Sequence, residues 1–143
     1  MNKLIIQKPE ELYKIALEII PKLKKKKLLC LYGQLGVGKT TFVQYLVKAL
    51  SLGAKAKSPS YVIMNIYEGD ELRVYHIDFY RLEGQDPYTA VDFDEILSDP
   101  QGLVVIEWAD LVEKYLPEEK IEMCFKDLGG TTVSYTHLRA HET

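Results

Sequence analysis

The chain has 143 residues, with 18 Lys and Arg against 21 Asp and Glu and a formal charge of −3. That length suits one domain around one core, and that balance excludes a chain that holds DNA or RNA through an overall basic field. No apolar run approaches the roughly 18 residues that a membrane helix needs, so no membrane partner is expected.

The N-terminus, Met1-Asn2-Lys3 and onward, lacks the apolar core of a signal peptide. Cys30 and Cys124 are far apart and have no zinc-type partners, so both read as buried, reduced thiols. A cytoplasmic location is the expectation that follows. Leu4-Ile5-Ile6 suits a short first strand. Pro9-Glu10-Glu11 suits the opening of a helix, with Pro and acids in its first turn. Leu12, Ile15, Ala16, Ile19 and Ile20 then form a helical stripe up to Pro21. Lys22 and Lys24 to Lys27 read as a solvated helix end, where cations complement the dipole, in preference to a tRNA or partner contact.

Leu28 to Tyr32 is an apolar run fit for a buried strand. It leads into Gly33-Gln34-Leu35-Gly36-Val37-Gly38-Lys39-Thr40, which is G-x-x-x-x-G-K-[ST] without a mismatch. Chance produces this pattern in on the order of one chain in 200 of this length. Thr41 to Leu50 follows as a helix, with Phe42, Leu46 and Ala49 on one face. Strand, Gly-rich turn and helix start is the setting of a phosphate-binding loop. Gly33 and Gly38 allow backbone angles barred to other residues. Successive N–H groups form an anion nest, and the helix adds its positive end. Lys39 suits the β- and γ-phosphates, and the Thr40 hydroxyl suits Mg²⁺. The expected nucleotide-binding set is Gly33, Gln34, Leu35, Gly36, Val37, Gly38, Lys39, Thr40 and Thr41. An ordinary Gly-rich turn would not require Lys39-Thr40.

Ser51-Leu52-Gly53 ends that helix, and Ala54 to Ser60 reads as a polar connection. Ser58-Pro59-Ser60 falls where switch-like loops lie, so Ser60 suits a γ-phosphate or Mg²⁺ contact as well as a plain turn. Tyr61 to Tyr67 and Leu72 to Phe79 read as strands joined by the turn Glu68-Gly69-Asp70-Glu71. Asp86 to Leu97 reads as helical or irregular. Leu103 to Ile106 is a buried strand ending in Glu107. Ala109 to Leu116 is a short helix stopped by Pro117, and Ile121 to Phe125 a last strand. The alternation predicts an α/β, P-loop NTPase-like layered fold, with a mostly parallel central sheet and an antiparallel hairpin. The domain is drawn over residues 1–127. Residues 128–143 are expected to be a non-native or disordered tail, since Val133 to Thr143 continues neither a strand pattern nor a clear helix. His137 and His141 stand at metal-ligand spacing there, without a scaffold to make a metal site.

A phosphate loop needs carboxylates at neighbouring strand ends. Glu107 suits Mg²⁺ in the manner of a Walker B acid, and Asp78 ends the strand before it. Taken singly, each reads equally as a surface acid at a strand terminus. His76 shares a strand face with Asp78 and could bond near it, although a structural role is the plainer reading. Trp108 is open between core packing and a lid over the nucleotide.

Leu31 to Phe42, Ser58-Pro59-Ser60-Tyr61, Tyr75 to Leu82 and Ile106-Glu107-Trp108-Ala109 together resemble the TsaE family (formerly YjeE). The resemblance covers about residues 1–127. It implies an ATPase, slow alone and modulated by partners, that supports threonylcarbamoylation of adenosine 37 in tRNA. It implies ATP/ADP and Mg²⁺ as cofactors, and TsaB and TsaD as partners, with tRNA met indirectly through their complex and no DNA. By motif match, Lys39 binds phosphates, Thr40 and Glu107 bind Mg²⁺, and Asp78 serves hydrolysis. The resemblance also brings Glu11 near the adenine. Ser60 stands where the family usually has Thr, and Gln34 where an acid is usual. A small-molecule kinase would draw on several Arg residues, and this chain has Arg73, Arg81 and Arg139. A GTPase would need an Asn-Lys-x-Asp stretch, which the sequence lacks. A nucleotide-dependent assembly module with little hydrolysis remains an alternative.

Overall fold

In a computed structural model the described residues are 2–6, 8, 10–33, 39–57, 63–79, 92–109, 112, 114, 116–129 and 132–139. The elements are β1 (Asn2–Ile6), α1 (Glu11–Lys26), β2 (Leu28–Gly33), α2 (Lys39–Ala49), β3 (Gly53–Lys57), β4 (Ile63–Glu68), β5 (Arg73–Asp78), α3 (Phe93–Leu97), β6 (Gly102–Glu107), β7 (Ile121–Gly129) and β8 (Thr132–Arg139). The strands form one sheet in the order β1-β8-β7-β2-β6-β5-β4-β3. The central strands β7, β2, β6 and β5 are parallel to one another. Antiparallel pairs flank them on both sides. This is the expected α/β layered fold with a mostly parallel centre and an antiparallel hairpin.

The two innermost strands, β2 and β6, are near-continuous apolar runs, Leu28–Leu31 and Leu103–Ile106, because helices cover both faces. Leu29 and Leu31 of β2 join Leu103 and Val105 of β6 and Ile121 and Met123 of β7 beneath α1 and α2. Leu28, Cys30, Val104 and Ile106 point the other way, toward α3 and the segment holding Ala109, Val112 and Leu116. The period of two along each strand thus feeds two cores. Phe42 and Leu46 of α2 are fully buried against the first face, each contributing roughly 2 kcal/mol by apolar burial.

Several elements differ from the sequence pattern. Helix α1 does not stop at Pro21 but carries it inside and runs to Lys26. The hydrogen bond that Pro21 forgoes is to the carbonyl of Leu17, on a face where Leu17 is 48% exposed and water can serve. Leu23, fully buried, anchors the last turn. Lys27 closes it with φ of 72°, its N–H bonding to Leu23 at 2.7 Å. The lysines do form a helix end, with Lys24, Lys25 and Lys26 in the last turn. The expected polar connection after α2 is instead strand β3 over Gly53–Lys57. Its Gly-Ala-Lys-Ala-Lys sequence has little strand propensity, and pairing with β4 makes it a strand at the sheet edge. Cys30 is buried as expected, but Cys124 is only half-buried. Thr132–Arg139 forms β8, bonded between β7 and β1. Its β-branched and aromatic residues suit a strand, and the boundary drawn at residue 127 falls inside β7. The turn at Glu68 to Glu71 is present, Gly69 N–H bonding to Leu72 C=O at 2.9 Å. The helix expected over 109–116 falls partly outside the described residues; within it, Val112 N–H bonds to Ala109 C=O at 3.0 Å, a 3₁₀-type turn.

Candidate functional site

The site is built where the parallel strands end. Strand register sets Leu31 of β2 opposite Glu107 of β6, and Glu107 opposite Asp78 of β5. Two residues beyond Leu31, β2 finishes at Gly33. Three adjacent strands therefore end close together, Glu107 and Asp78 level with each other and Gly33 two residues further on, at the end of the sheet where ligands bind in open α/β folds. Gly33 has φ of 139°, a conformation that L side chains rarely adopt. Gln34, Leu35, Gly36, Val37 and Gly38 lie outside the described residues, as do Ser58, Pro59 and Ser60.

Lys39 opens α2 and is buried at 4% exposure. Its Nζ donates to the Gly33 carbonyl at 2.6 Å and stands 4.3 Å from the centre of the Trp108 ring. The ammonium thus spans the two ends of the loop, with the indole as a cation–π wall. No residue in the first turn of α2 is itself acidic; the carboxylate facing this positive end comes from Glu107 of β6. Trp108 has φ of 61°, which turns the chain sharply after β6 and brings the ring over Lys39. A left-handed backbone at a bulky residue costs on the order of 1 kcal/mol and is sustained by its surroundings. The ring is half-buried against the second core, as the packing reading expects, and it faces the Lys39 ammonium.

Thr40 and Glu107 meet directly. The Thr40 hydroxyl lies 3.2 Å from Oε1 and 3.1 Å from Oε2 of Glu107. Glu107 is 3% exposed, so this carboxylate is not a surface acid. A hydroxyl and a carboxylate are the hard oxygen donors that Mg²⁺ takes, and Mg²⁺ completes its shell with phosphate and water rather than a protein cage. Thr41 is exposed on the same first turn of α2.

The sequence left His76 between a bond near Asp78 and a structural role; the structure pairs its ring with Glu107. The ring Nε2 donates to Glu107 Oε2 at 2.6 Å, across the β5–β6 boundary. The bond runs diagonally, since the register pairs His76 with Val105. No local pattern could reveal it. Glu11 is the first residue of α1. Tyr13 packs edge-on against Tyr45, while Ile20 and Lys24 share a hollow with Ala49 to Leu52. The helices therefore run the same way, and Glu11 sits at the same end of the pair as Lys39.

A second polar group, which sequence reasoning missed, lies at the opposite end of β5. Arg73 pairs with Glu68 and Asp99, and Tyr75 donates to Asp99 at 2.8 Å. Burial alone would push the Asp99 carboxyl up. Hydrogen bonds from Tyr75, the Gln101 N–H and Arg73 outweigh it and hold the carboxyl below its ordinary value. This group ties the β4–β5 hairpin to the entrance of β6 and is remote from Lys39.

The family model of the threonylcarbamoyl adenosine biosynthesis protein TsaE matches residues 6–133. The tRNA threonylcarbamoyladenosine biosynthesis protein TsaE of Aquifex aeolicus is 37% identical over 77% of this chain and 78% of its own. Its namesake in Bacillus subtilis is 36% identical over 85% of this chain and 75% of its own. The crystal structure of Bacillus subtilis YdiB superposes with a TM-score of 0.68 at 30% identity, covering 97% of this chain and 85% of that one.

Proposed function

The chain belongs to the TsaE family of tRNA threonylcarbamoyladenosine biosynthesis, and from that premise we propose that it is a Mg²⁺-dependent ATP hydrolase whose turnover supports the TsaB–TsaD pair. The reading places the work in the cytoplasm, with ATP and ADP as ligands. tRNA is reached through the complex, in keeping with the net charge of −3. The observation that carries the proposal is the contact of Thr40 with Glu107 beside the buried Lys39.

In this reading the loop from Gly33 to Gly38 and the first turn of α2 receive the phosphates. Lys39 supplies positive charge to the β- and γ-phosphates as negative charge grows during cleavage. Thr40 and Glu107 hold Mg²⁺, which when bound neutralises phosphate charge. Asp78, level with Glu107 on the neighbouring strand, orients the attacking water or takes its proton. Trp108 keeps bulk water from Lys39. Glu11, at the same end of the helix pair, approaches the adenine.

A kinase would require arginines over the transferred phosphate. Arg73 is committed to Glu68 and Asp99 at the far end of β5, which counts against that reading. The test is ATP turnover of the chain alone and with the TsaB–TsaD pair. Slow turnover that changes on adding the pair is the expected result. Partners that neither bind nor alter turnover, together with phosphorylation of a small metabolite, would give the kinase reading the field. Nucleotide-dependent binding to the pair without turnover would leave an assembly module.

A further inference from the structure

His76 and Glu107 form a buried pair whose side chains are 5% and 3% exposed. His76 Nε2 holds Oε2 at 2.6 Å, and the Thr40 hydroxyl lies 3.2 Å from Oε1 and 3.1 Å from Oε2, facing the carboxylate edge-on. The other ring nitrogen, Nδ1, is buried and has no hydrogen-bond partner among the described residues. Buried polar groups that serve only the fold are generally satisfied. Here the one described polar anchor of the ring is the Glu107 carboxylate. The last torsion of a glutamate is broad, so the carboxylate needs a partner to fix its plane.

We propose that His76 is a positioning residue for Glu107, holding Oε2 and thereby fixing the plane of the carboxylate, so that its edge faces Thr40 and a cation the two would share. The proposal rests on the Mg²⁺-dependent reading above. The imidazole reaches diagonally from β5 to the end of β6 and acts on the cation only through Glu107. Groups that orient a metal ligand in this way typically change metal affinity by about 10–100-fold when removed.

Three variants separate positioning from packing. In His76→Gln the amide N–H reaches as far as Nε2 does. In His76→Asn it stops one bond short, and in His76→Leu the donor is gone. ADP binding is measured by calorimetry across a Mg²⁺ series, with thermal midpoints and ATP turnover alongside. His76→Gln is expected to keep the wild-type Mg²⁺ half-saturation within about 3-fold, while His76→Asn and His76→Leu raise it roughly 10-fold or more. ADP affinity without Mg²⁺ is expected to be the same in all four proteins. Equal Mg²⁺ half-saturation across all of them overturns the proposal. So does an equal loss in the Gln and Asn variants that follows their melting temperatures, the mark of a packing role. If wild-type ADP binding ignores Mg²⁺ altogether, the reading of the site fails and the proposal falls with it.

Discussion

The hydroxyl of Thr40, in the first turn of α2, lies 3.1 and 3.2 Å from the two carboxylate oxygens of Glu107, the last residue of β6. Residues 67 apart in sequence are thereby joined into one pair of oxygen donors. Glu107→Gln and Thr40→Val are each expected to lower Mg²⁺-dependent ATP turnover by roughly 100-fold. Because the two act as a unit, the double variant is expected to fall little further than the worse single one. Steady-state turnover of the four proteins checks this, and additive losses would mean that the pair does not act together.

Lys39 has a compact charge that the loop can bring against a phosphate. Lys39→Met is expected to weaken ADP binding by about 10–100-fold, the range of a charged hydrogen bond of ~1.5–3 kcal/mol. Lys39→Arg is not expected to restore it, since a planar fork does not fit between the Gly33 carbonyl and the Trp108 ring. Calorimetric titration with ADP measures both.

Asp99 gives the fold an acid limit. Its folded pKa lies below its ordinary 3.8, so its stabilisation is complete above pH ~4 and is lost as pH falls through the lowered folded value. The thermal midpoint is expected to decline below about pH 4. Asp99→Asn is expected to be less stable at pH 7 by on the order of 1 kcal/mol and to show a shallower decline. Parallel acid limbs in the two proteins would assign the decline to other carboxyls.

Phe42, fully buried, meets Phe125 of β7 with ring centres 6.0 Å apart. Phe42→Ala is expected to cost about 3–5 kcal/mol, read as a shift of the urea midpoint at unchanged slope. Its neighbour Thr41 is exposed, and Thr41→Ala is expected to move that midpoint by less than about 0.5 kcal/mol.

Cys124 is held in its unreactive form. Burial pushes its thiol up, and Glu122 adds to the effect. Native protein is expected to react slowly with a thiol reagent at pH 7, faster as pH rises toward 9 and beyond, and at once when unfolded. A fast native reaction at pH 7 would contradict that environment.

What the sequence revealed was local. Gly33 to Thr40 and the run Leu103 to Ile106 before Glu107 carry their meaning in consecutive residues. What it concealed depends on pairing. His76 meets Glu107 only through the diagonal of a parallel register, which no single strand encodes. Strand β3 has poor intrinsic propensity and is made by β4. Helix α1 passes through Pro21 because Leu23 has a core to enter. The group of Arg73, Glu68, Tyr75 and Asp99 draws on the β4–β5 hairpin and the entrance to β6, and only the folded sheet brings them together.

Trp108 is the chain's single tryptophan, and its ring stands 4.3 Å from the Lys39 ammonium. Indole emission responds to the charge beside the ring, so the protein carries its own optical label at this lysine. A ligand that draws the ammonium away from the indole will register as a change in intrinsic fluorescence, with no dye attached and no residue replaced.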